Sequence, residues 1–355
     1  MLDRYFDHAS TSPLDPRVFE AMRPWLTGLF GNANSIHEPG RRAMAAVDTA
    51  REQVAALIGS DPMQVIFTSG ATESNNWVLS AFEEVAISPF EHSAIREPAR
   101  HRGHTILANT GLTIEFPEYA FDLVSVMAMN NEIGSLWPAE EIRARISPDS
   151  LLHSDATQII GKRPFDANLT DFASLSAHKF NGPQGVGALF YAGTPPEPLL
   201  RGGEQELGFR AGTLNVAGIV GMGMAAQLAG EEMEARAAHA THLRALFLEE
   251  LEGVPDFAVN GGPNASPFIL SVSFAGIQGE TLVIEMDQAG YAISSGAACS
   301  SGSNERSHVL MALGVDETYL RGTVRISFGM ANTPDSAQQN SRTMAQIVRK
   351  LRTLT

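Results

Sequence analysis

Only one cysteine, Cys299, occurs in the 355 residues. A single thiol excludes an internal disulfide framework, and the chain reads as a protein of a reducing, cytoplasmic compartment. Positive charge is scarce as well: 25 Lys and Arg face 40 acids, a formal net charge of −15. That balance argues against a broad electrostatic grip on nucleic acid or on an anionic membrane, so neither is expected as a partner. Long apolar runs are missing too. The longest weakly polar stretch, 216–228, is rich in Gly and Met and too short to span a bilayer. Met1-Leu2-Asp3-Arg4 opens no pattern of basic residues followed by an apolar run, so no signal peptide is expected. Internal repeats and low-complexity tracts are lacking. At 44% apolar composition the chain can bury one large core and a smaller second one.

What is present alternates. Apolar side chains at 43, 44, 47, 50, 54 and 58 form a helical stripe over 40–57, with Arg and Glu on the opposite face. Val65-Ile66-Phe67-Thr68 follows as a short buried strand, and a helical pattern resumes over 73–85. Short apolar strands recur at 123–128, 151–153, 171–175 and 187–191, with helical or Pro-marked connections such as 139–146 between them. This alternation predicts an α/β fold with a largely parallel, doubly wound sheet. After Gly230 the texture changes to a charged helix over 231–252, a strand over 267–274 and a last helix over 334–351. A domain boundary is expected near 230–235. It would divide a large domain, 13–233, from a smaller α+β domain made of 1–12 and 234–355.

Charge at the ends of buried strands carries the functional signal. Ser176-Ala177-His178-Lys179 follows an apolar strand that ends at Leu175-Ser176. A lysine desolvated there has a lowered pKa and becomes a Schiff-base nucleophile toward an aldehyde. Asp155 ends another apolar stretch, Leu151-Leu152-His153-Ser154. A buried carboxylate needs a cationic partner, and a pyridinium nitrogen would be one. An acid for the ring nitrogen and an amine for the aldehyde are what pyridoxal phosphate requires. On these two residues alone, a Lys–Asp ion pair capping two strands remains the alternative.

The other candidates each carry two readings. Ser69-Gly70-Ala71-Thr72-Glu73 links a strand to a helix. Its small residues let backbone N–H groups approach an anion, and the Thr72 hydroxyl adds a donor. By itself the segment fits an ordinary turn with Thr72 as N-cap better. A phosphate site gains weight because the lysine and aspartate stand at comparable strand ends. His92, after the apolar patch 85–87, offers an imidazole face to an aromatic ring, or is a structural histidine. Asn130-Asn131-Glu132-Ile133-Gly134 forms a turn, or supplies an amide to a ring oxygen or to substrate. Cys299 has nine small residues around it in 294–303 and none that buries it. Such a loop suits a thiolate that must travel and attack. Arg325 interrupts Thr323-Val324-Arg325-Ile326-Ser327, as a bidentate partner for a substrate carboxylate or as half of a structural ion pair.

Taken in this order, the motifs resemble the cysteine desulfurases, pyridoxal-phosphate enzymes of the class V aminotransferase group. The resemblance runs from Tyr5-Phe6-Asp7-His8-Ala9-Ser10-Thr11 through 31–32, 68–75, 130–134, 153–162, 174–187, 210–213 and 294–301 to 325–329. It implies the type I transferase fold: a mostly parallel sheet of the seven-stranded type flanked by helices, plus a smaller α+β domain. Cys299-Ser300-Ser301-Gly302-Ser303, with Ser307-His308-Val309-Leu310 downstream, looks like the long-loop branch. That branch feeds iron–sulfur cluster assembly and thiolation pathways.

Roles follow from the resemblance. Lys179 would hold pyridoxal 5′-phosphate and later move protons, Asp155 would pair with the ring nitrogen, and Gln158 would reach the phenolic oxygen. His92 would stack on the ring as part of the catalytic set. Ala71, Thr72, Ser176 and His178 would hold the phosphate, and Thr213 the phosphate of a neighbouring subunit, making a homodimer. Arg325 and Asn131 would bind the carboxylate of L-cysteine. Cys299 would take the sulfur as a persulfide and leave alanine. No metal is implied, and the implied partner is a sulfur-acceptor or iron–sulfur scaffold protein. Two segments depart from the pattern: in 201–208 Glu204 stands where the family has glycine and Leu207 where it has arginine, and 93–121 is short against the family. The rival readings are a selenocysteine lyase or other class V enzyme, and a catalytically idle, partner-binding homologue.

Overall fold

Two sheets organise the chain. The computed structural model describes residues 2–295 and 306–353. Cys299 therefore lies outside the described residues.

The strands in chain order begin with β1 (Val65–Thr68), β2 (Val85–Ile87), β3 (Thr105–Ile106) and a hairpin of β4 (Asn109–Thr110) and β5 (Thr113–Ile114). They continue with β6 (Leu123–Ser125), β7 (Leu151–Asp155), β8 (Phe172–Ser176) and β9 (Gly187–Tyr191). Seven of them form one sheet in the order β1-β9-β8-β7-β6-β2-β3. The pairs from β8 through β7, β6 and β2 to β3 are parallel, and β9 pairs antiparallel with both β8 and β1. This is the mostly parallel seven-stranded sheet that the resemblance implied. The helices are α1 (Pro16–Thr27), α2 (Glu38–Ile58), α3 (Ala71–Ser80), α4 (Ser93–Arg102), α5 (Ala139–Arg143), α6 (Val216–Glu249), α7 (Gly279–Gln288), α8 (His308–Leu313), α9 (Glu317–Leu320) and α10 (Pro334–Arg352).

A parallel sheet is stable only with both faces covered, which is why its strands are apolar throughout. On one face Val65, Phe67, Ala173, Leu175, Ala188 and Phe190 pack against Val18 and Met22 of α1, the α2 stripe, and Ile219 and Met222 of α6. On the other, Ile66, Phe172, Leu189 and Tyr191 meet Trp77 and Val78 of α3 and Ile95 of α4. The sequence stripe of α2 is the buried one, with Ala43, Val47, Ala50, Val54 and Ile58 inside. His37 caps its start and Gly59, in the left-handed region at φ 70°, ends it.

The second sheet is antiparallel and has the order β10-β11-β13-β12: β10 (Phe257–Asn260), β11 (Ile269–Phe274), β12 (Ser294–Ser295) and β13 (Thr323–Ser327). Its core includes Phe274, Ile326, Leu282 of α7, and Met344 and Val348 of α10. The N-terminal segment joins this sheet through bridges from Tyr5 to Ala292 and from Asp7 to Ser327. Residues 9–12 then leave it for the large sheet.

Two sequence expectations need correction. The helix expected over 73–85 ends at Ser80, because the chain turns there and Asp122 Oδ2 accepts from the N–H groups of Glu83 (3.3 Å) and Glu84 (2.9 Å). Val85 instead starts β2, whose pairing on both sides, with β6 and β3, outweighs its helical spacing. The charged helix expected over 231–252 is the second half of the 34-residue α6. Residues 219–229 of α6 pack on the large sheet, whereas Ala240, Leu243 and Phe247 pack on the small one. Residues 233 and 234 thus lie within one unbroken helix. Among the described residues, no helix is long and apolar enough to cross a membrane.

Candidate active site

β7 and β8 are parallel neighbours, so their C-terminal residues, Asp155 and Ser176, arrive at the same edge of the sheet. A cavity of about 550 Å³ opens there, the usual place for a ligand in an open α/β sheet. Ten of the residues expected from sequence line it: Ala71, Thr72, His92, Asn131, Asp155, Gln158, Ser176, His178, Lys179 and Arg325. Thr213 is exposed and does not line it.

Lys179 ends a short 3₁₀ turn after β8, which swings its amine back over the strand ends. Its Nζ donates to the carbonyls of Ala9 at 2.8 Å and Ser10 at 2.7 Å. Two backbone oxygens thus orient the amine toward the cavity. Asp155, 4% exposed, accepts from Asn75 Nδ2 at 2.8 Å and from the Thr157 N–H at 3.0 Å. Both bonds are donated to Asp155, so the carboxylate meets the cavity as an acceptor. Sequence reasoning missed Asn75, since an amide inside a helix leaves no pattern of its own.

The Ser69–Glu73 turn is built to leave N–H groups open. Gly70, not Thr72, is the N-cap of α3, and no side chain caps it. Its φ of 154° and ψ of 172° lie in a region essentially restricted to glycine. Glu73 holds the turn from behind, accepting from the Ser69 N–H at 2.8 Å and pairing with Arg210 at 2.9 Å. The helix N-terminus therefore presents donors and positive potential to an anion. His178 stands beside it with Nδ1 on Thr11 Oγ1 at 3.0 Å. Burial, reinforced by the charges of Lys179 and Lys162, lowers the His178 pKa to about 4 and keeps its ring neutral. His92 caps α4, its Nδ1 accepting from the Ala94 N–H at 3.1 Å, which fixes the ring plane. One layer back, burial likewise lowers His153 to about 4, between Ser125 Oγ (2.9 Å) and Ser174 Oγ (3.0 Å).

On the far side, Arg325 is almost wholly buried in β13. Nη1 donates to the Asn131 carbonyl at 2.8 Å, and Nη2 donates to Asp7 Oδ1 and Ser10 Oγ, each at 2.7 Å. Its Nε has no partner among the described residues. Next to Asn131, Glu132 accepts from Ser307 Oγ, and burial raises its pKa to about 7. The departing segment 201–208 also has a structural account. Glu206 turns inward at φ 47°, pairs with Arg51 through both oxygens and accepts from the Phe67 N–H at 2.8 Å. Neither of these acids stood out in the sequence.

A lysine, a buried aspartate, a helix N-terminus with open N–H groups and a buried arginine line one cavity. Residues 4–339 match the family described as aminotransferase class V. This chain belongs to that family. Across 99% of its length it is 38% identical to the cysteine desulfurase IscS of Dictyoglomus turgidum, covering 95% of that protein. A solved NifS-like protein superposes with a TM-score of 0.87 at 34% identity, over 98% of this chain and 99% of that one. SspA in complex with cysteine superposes at 0.78 and 28% identity, over 93% and 100%.

Class V aminotransferases use pyridoxal phosphate, and the residues of this chain fit it. Gly70 leaves N–H groups open to a phosphate, and the buried Asp155 carboxylate and the Lys179 amine line the same cavity.

Proposed function

We propose that this class V protein is a cysteine desulfurase, taking L-cysteine to L-alanine and passing the sulfur to Cys299. The observation that carries the reading is the shared cavity of Lys179, Asp155 and Arg325. Pyridoxal phosphate, when bound, supplies an electron sink for the bonds at the substrate's α-carbon. Lys179 would hold its aldehyde and afterwards move a proton at the substrate carbon. Asp155 would face the ring nitrogen and Gln158 the phenolic oxygen, while His92 would lie against the ring. The N–H groups at Ala71 and Thr72, the hydroxyls of Thr72 and Ser176, and the His178 ring would hold the phosphate. Arg325 and the Asn131 amide would take the substrate carboxylate, since a guanidinium buried beside the cavity discriminates for that group.

The transfer balances without an external oxidant. The substrate's C–S bond breaks, a bond forms between its sulfur and the Cys299 sulfur, and the β-carbon gains a proton. Cys299 is assigned from its sequence setting of small residues. Thr213, exposed and outside the cavity, suits contact with the phosphate of a second copy, so the active form is a homodimer. A reducing cytoplasm suits a chain whose one thiol must stay reactive, and a sulfur-acceptor or scaffold protein would drain the persulfide.

The test is alanine release from L-cysteine by the cofactor-loaded protein beside its Cys299→Ala variant. Mass spectrometry of the parent after cysteine treatment completes it. Alanine from the parent alone, with one added sulfur on Cys299, is the expected result. Alanine from both in equal amount would assign another class V activity, and none from either would point to an idle homologue.

A further inference from the structure

Among the described residues, one buried cation outside the mechanism stands without an acidic partner. Lys162 is 8% exposed, and among the described residues no carboxylate pairs with it. Its Nζ donates to Gln158 Oε1 at 2.9 Å. The other end of that amide, Nε2, donates at 2.9 Å to the Ala9 carbonyl, the same oxygen that accepts from Lys179. An unbroken path thus runs from Lys162 through the Gln158 amide and the Ala9 oxygen to the Lys179 amine.

An ammonium carries three donors and no acceptor. An amide facing it must turn its oxygen inward, because the reversed amide would set N–H against N–H. We propose that Lys162 is a positioning residue that locks the Gln158 amide with Oε1 inward and Nε2 toward the cavity. A ring oxygen bound there then meets an N–H and never a carbonyl. The proposal rests on the reading above, in which Gln158 faces the phenolic oxygen of pyridoxal phosphate.

The surroundings explain why so costly a group works here. His8 from the N-terminal segment, His178 and Lys179 from the turn after β8, and Arg325 from β13 are the charged and titratable groups that act on Lys162 or feel its charge. Burial is the first cause lowering the Lys162 pKa, to about 7, followed by the charges of Lys179 and Arg325. The lock is therefore complete below neutral pH and weakens as pH rises through that value. An apolar side chain of equal length would be cheaper to bury but would leave the Ala9 carbonyl alone to hold the amide against reversal.

The experiment is a pH titration of the visible absorption of the protein loaded with pyridoxal phosphate. It compares the parent with Gln158→Leu, Lys162→Met, Lys162→Arg and a double variant that combines Gln158→Leu with Lys162→Met. Losing a donor at the ring oxygen destabilises the phenolate, so the chromophore keeps its proton to higher pH. Gln158→Leu is expected to raise the midpoint by about one pH unit, the scale of one hydrogen bond to a charged group. Lys162→Met should raise it comparably, Lys162→Arg should stay near the parent, and the double variant should match Gln158→Leu. A parent-like midpoint in Lys162→Met beside a shifted Gln158→Leu would overturn the proposal. Shifts that add fully in the double variant would also overturn it, since Lys162 would then act by its charge alone. If the Met variant does not fold, Lys162→Arg decides: a midpoint moved as far as that of Gln158→Leu rejects the lock. A colourless parent, or an unshifted Gln158→Leu, would instead reject the underlying reading of the site, and the proposal with it.

Discussion

Arg325 and Asp7, 318 positions apart in the chain, meet at 2.7 Å. The contact ties the N-terminal segment to the small sheet and fixes the guanidinium that faces the cavity. Asn131 and Ser10 take further N–H groups, so the fork is held in one plane before any substrate arrives. Arg325→Ala should raise KM for L-cysteine about 10–100-fold, the worth of hydrogen bonds to a charged group. Affinity for pyridoxal phosphate should change little. Asp7→Asn should act on folding, because it leaves a buried guanidinium without its counter-charge. Its cost should be on the order of 2–3 kcal/mol in a denaturant titration, below that of a fully buried pair since Asp7 is partly exposed.

Glu206 and Leu207 are neighbours with opposite fates. Both adopt positive φ, at 47° and 57°, where side chains are strained. Glu206 offsets that strain with a bidentate, buried pair to Arg51 and a bond to the β1 backbone. Leu207 is 61% exposed and has no such compensation. Glu206→Gln should therefore lower stability by about 3 kcal/mol. Leu207→Gly should raise it by somewhat less than about 1 kcal/mol, the strain relieved minus the added freedom of the unfolded chain. Chemical denaturation of the two variants should move the midpoint in opposite directions.

What could be read from the sequence follows from cost. Lys179, Asp155 and Arg325 interrupt or end apolar strands, where an unpaired charge is expensive, so their presence signals a ligand or a partner. Glu206 is as deeply buried, yet it sits in a polar run, Glu204-Gln205-Glu206, that reads as a solvated face. The carbonyls of Ala9 and Ser10, which hold the Lys179 amine, have no side-chain signature at all. Asn75 shares that fate, since only the fold brings it to Asp155, 80 residues on. The sheet was legible because buried parallel strands are continuously apolar. The end of α3 was not, because Asp122, a distant residue, stops it.

Gly187 links sheet packing to cofactor affinity. It opens β9 between the ends of two site strands, paired with Thr68 on one side and Ser176 on the other. A Cβ there would stand 2.4 Å from the Leu175 carbonyl oxygen and 2.6 Å from the Gly70 Cα. Both obstacles are backbone, so relief requires moving the anion turn itself. Gly187→Ala should cost about 1–3 kcal/mol of stability, the usual range for overpacking. It should also weaken pyridoxal phosphate about tenfold or more, the effect of displacing one or two donors. A spectrophotometric titration of the apoprotein checks the second figure. Unchanged affinity in a destabilised variant would show that the turn yields without losing its anion geometry.

Glu91, immediately before His92, gives the fold a pH dependence of its own. It is almost wholly buried; Oε1 accepts from Ser88 Oγ at 2.6 Å and from the Met127 N–H at 2.8 Å, while Oε2 has no partner among the described residues. Burial raises its pKa from 4.5 to about 8, so the folded protein keeps a proton that the unfolded chain releases near 4.5. The folded state then binds more protons than the unfolded one between those values, and stability must fall as pH rises through that window. Glu91→Gln keeps the carbonyl that Ser88 and Met127 use and removes the titration. Thermal denaturation at pH 5 should give similar Tm values for parent and variant. At pH 8 the variant should be the more stable, with the gap widening steadily between. A gap independent of pH would mean that Glu91 is ionised in the folded protein, and that His92 has a negative charge at its shoulder.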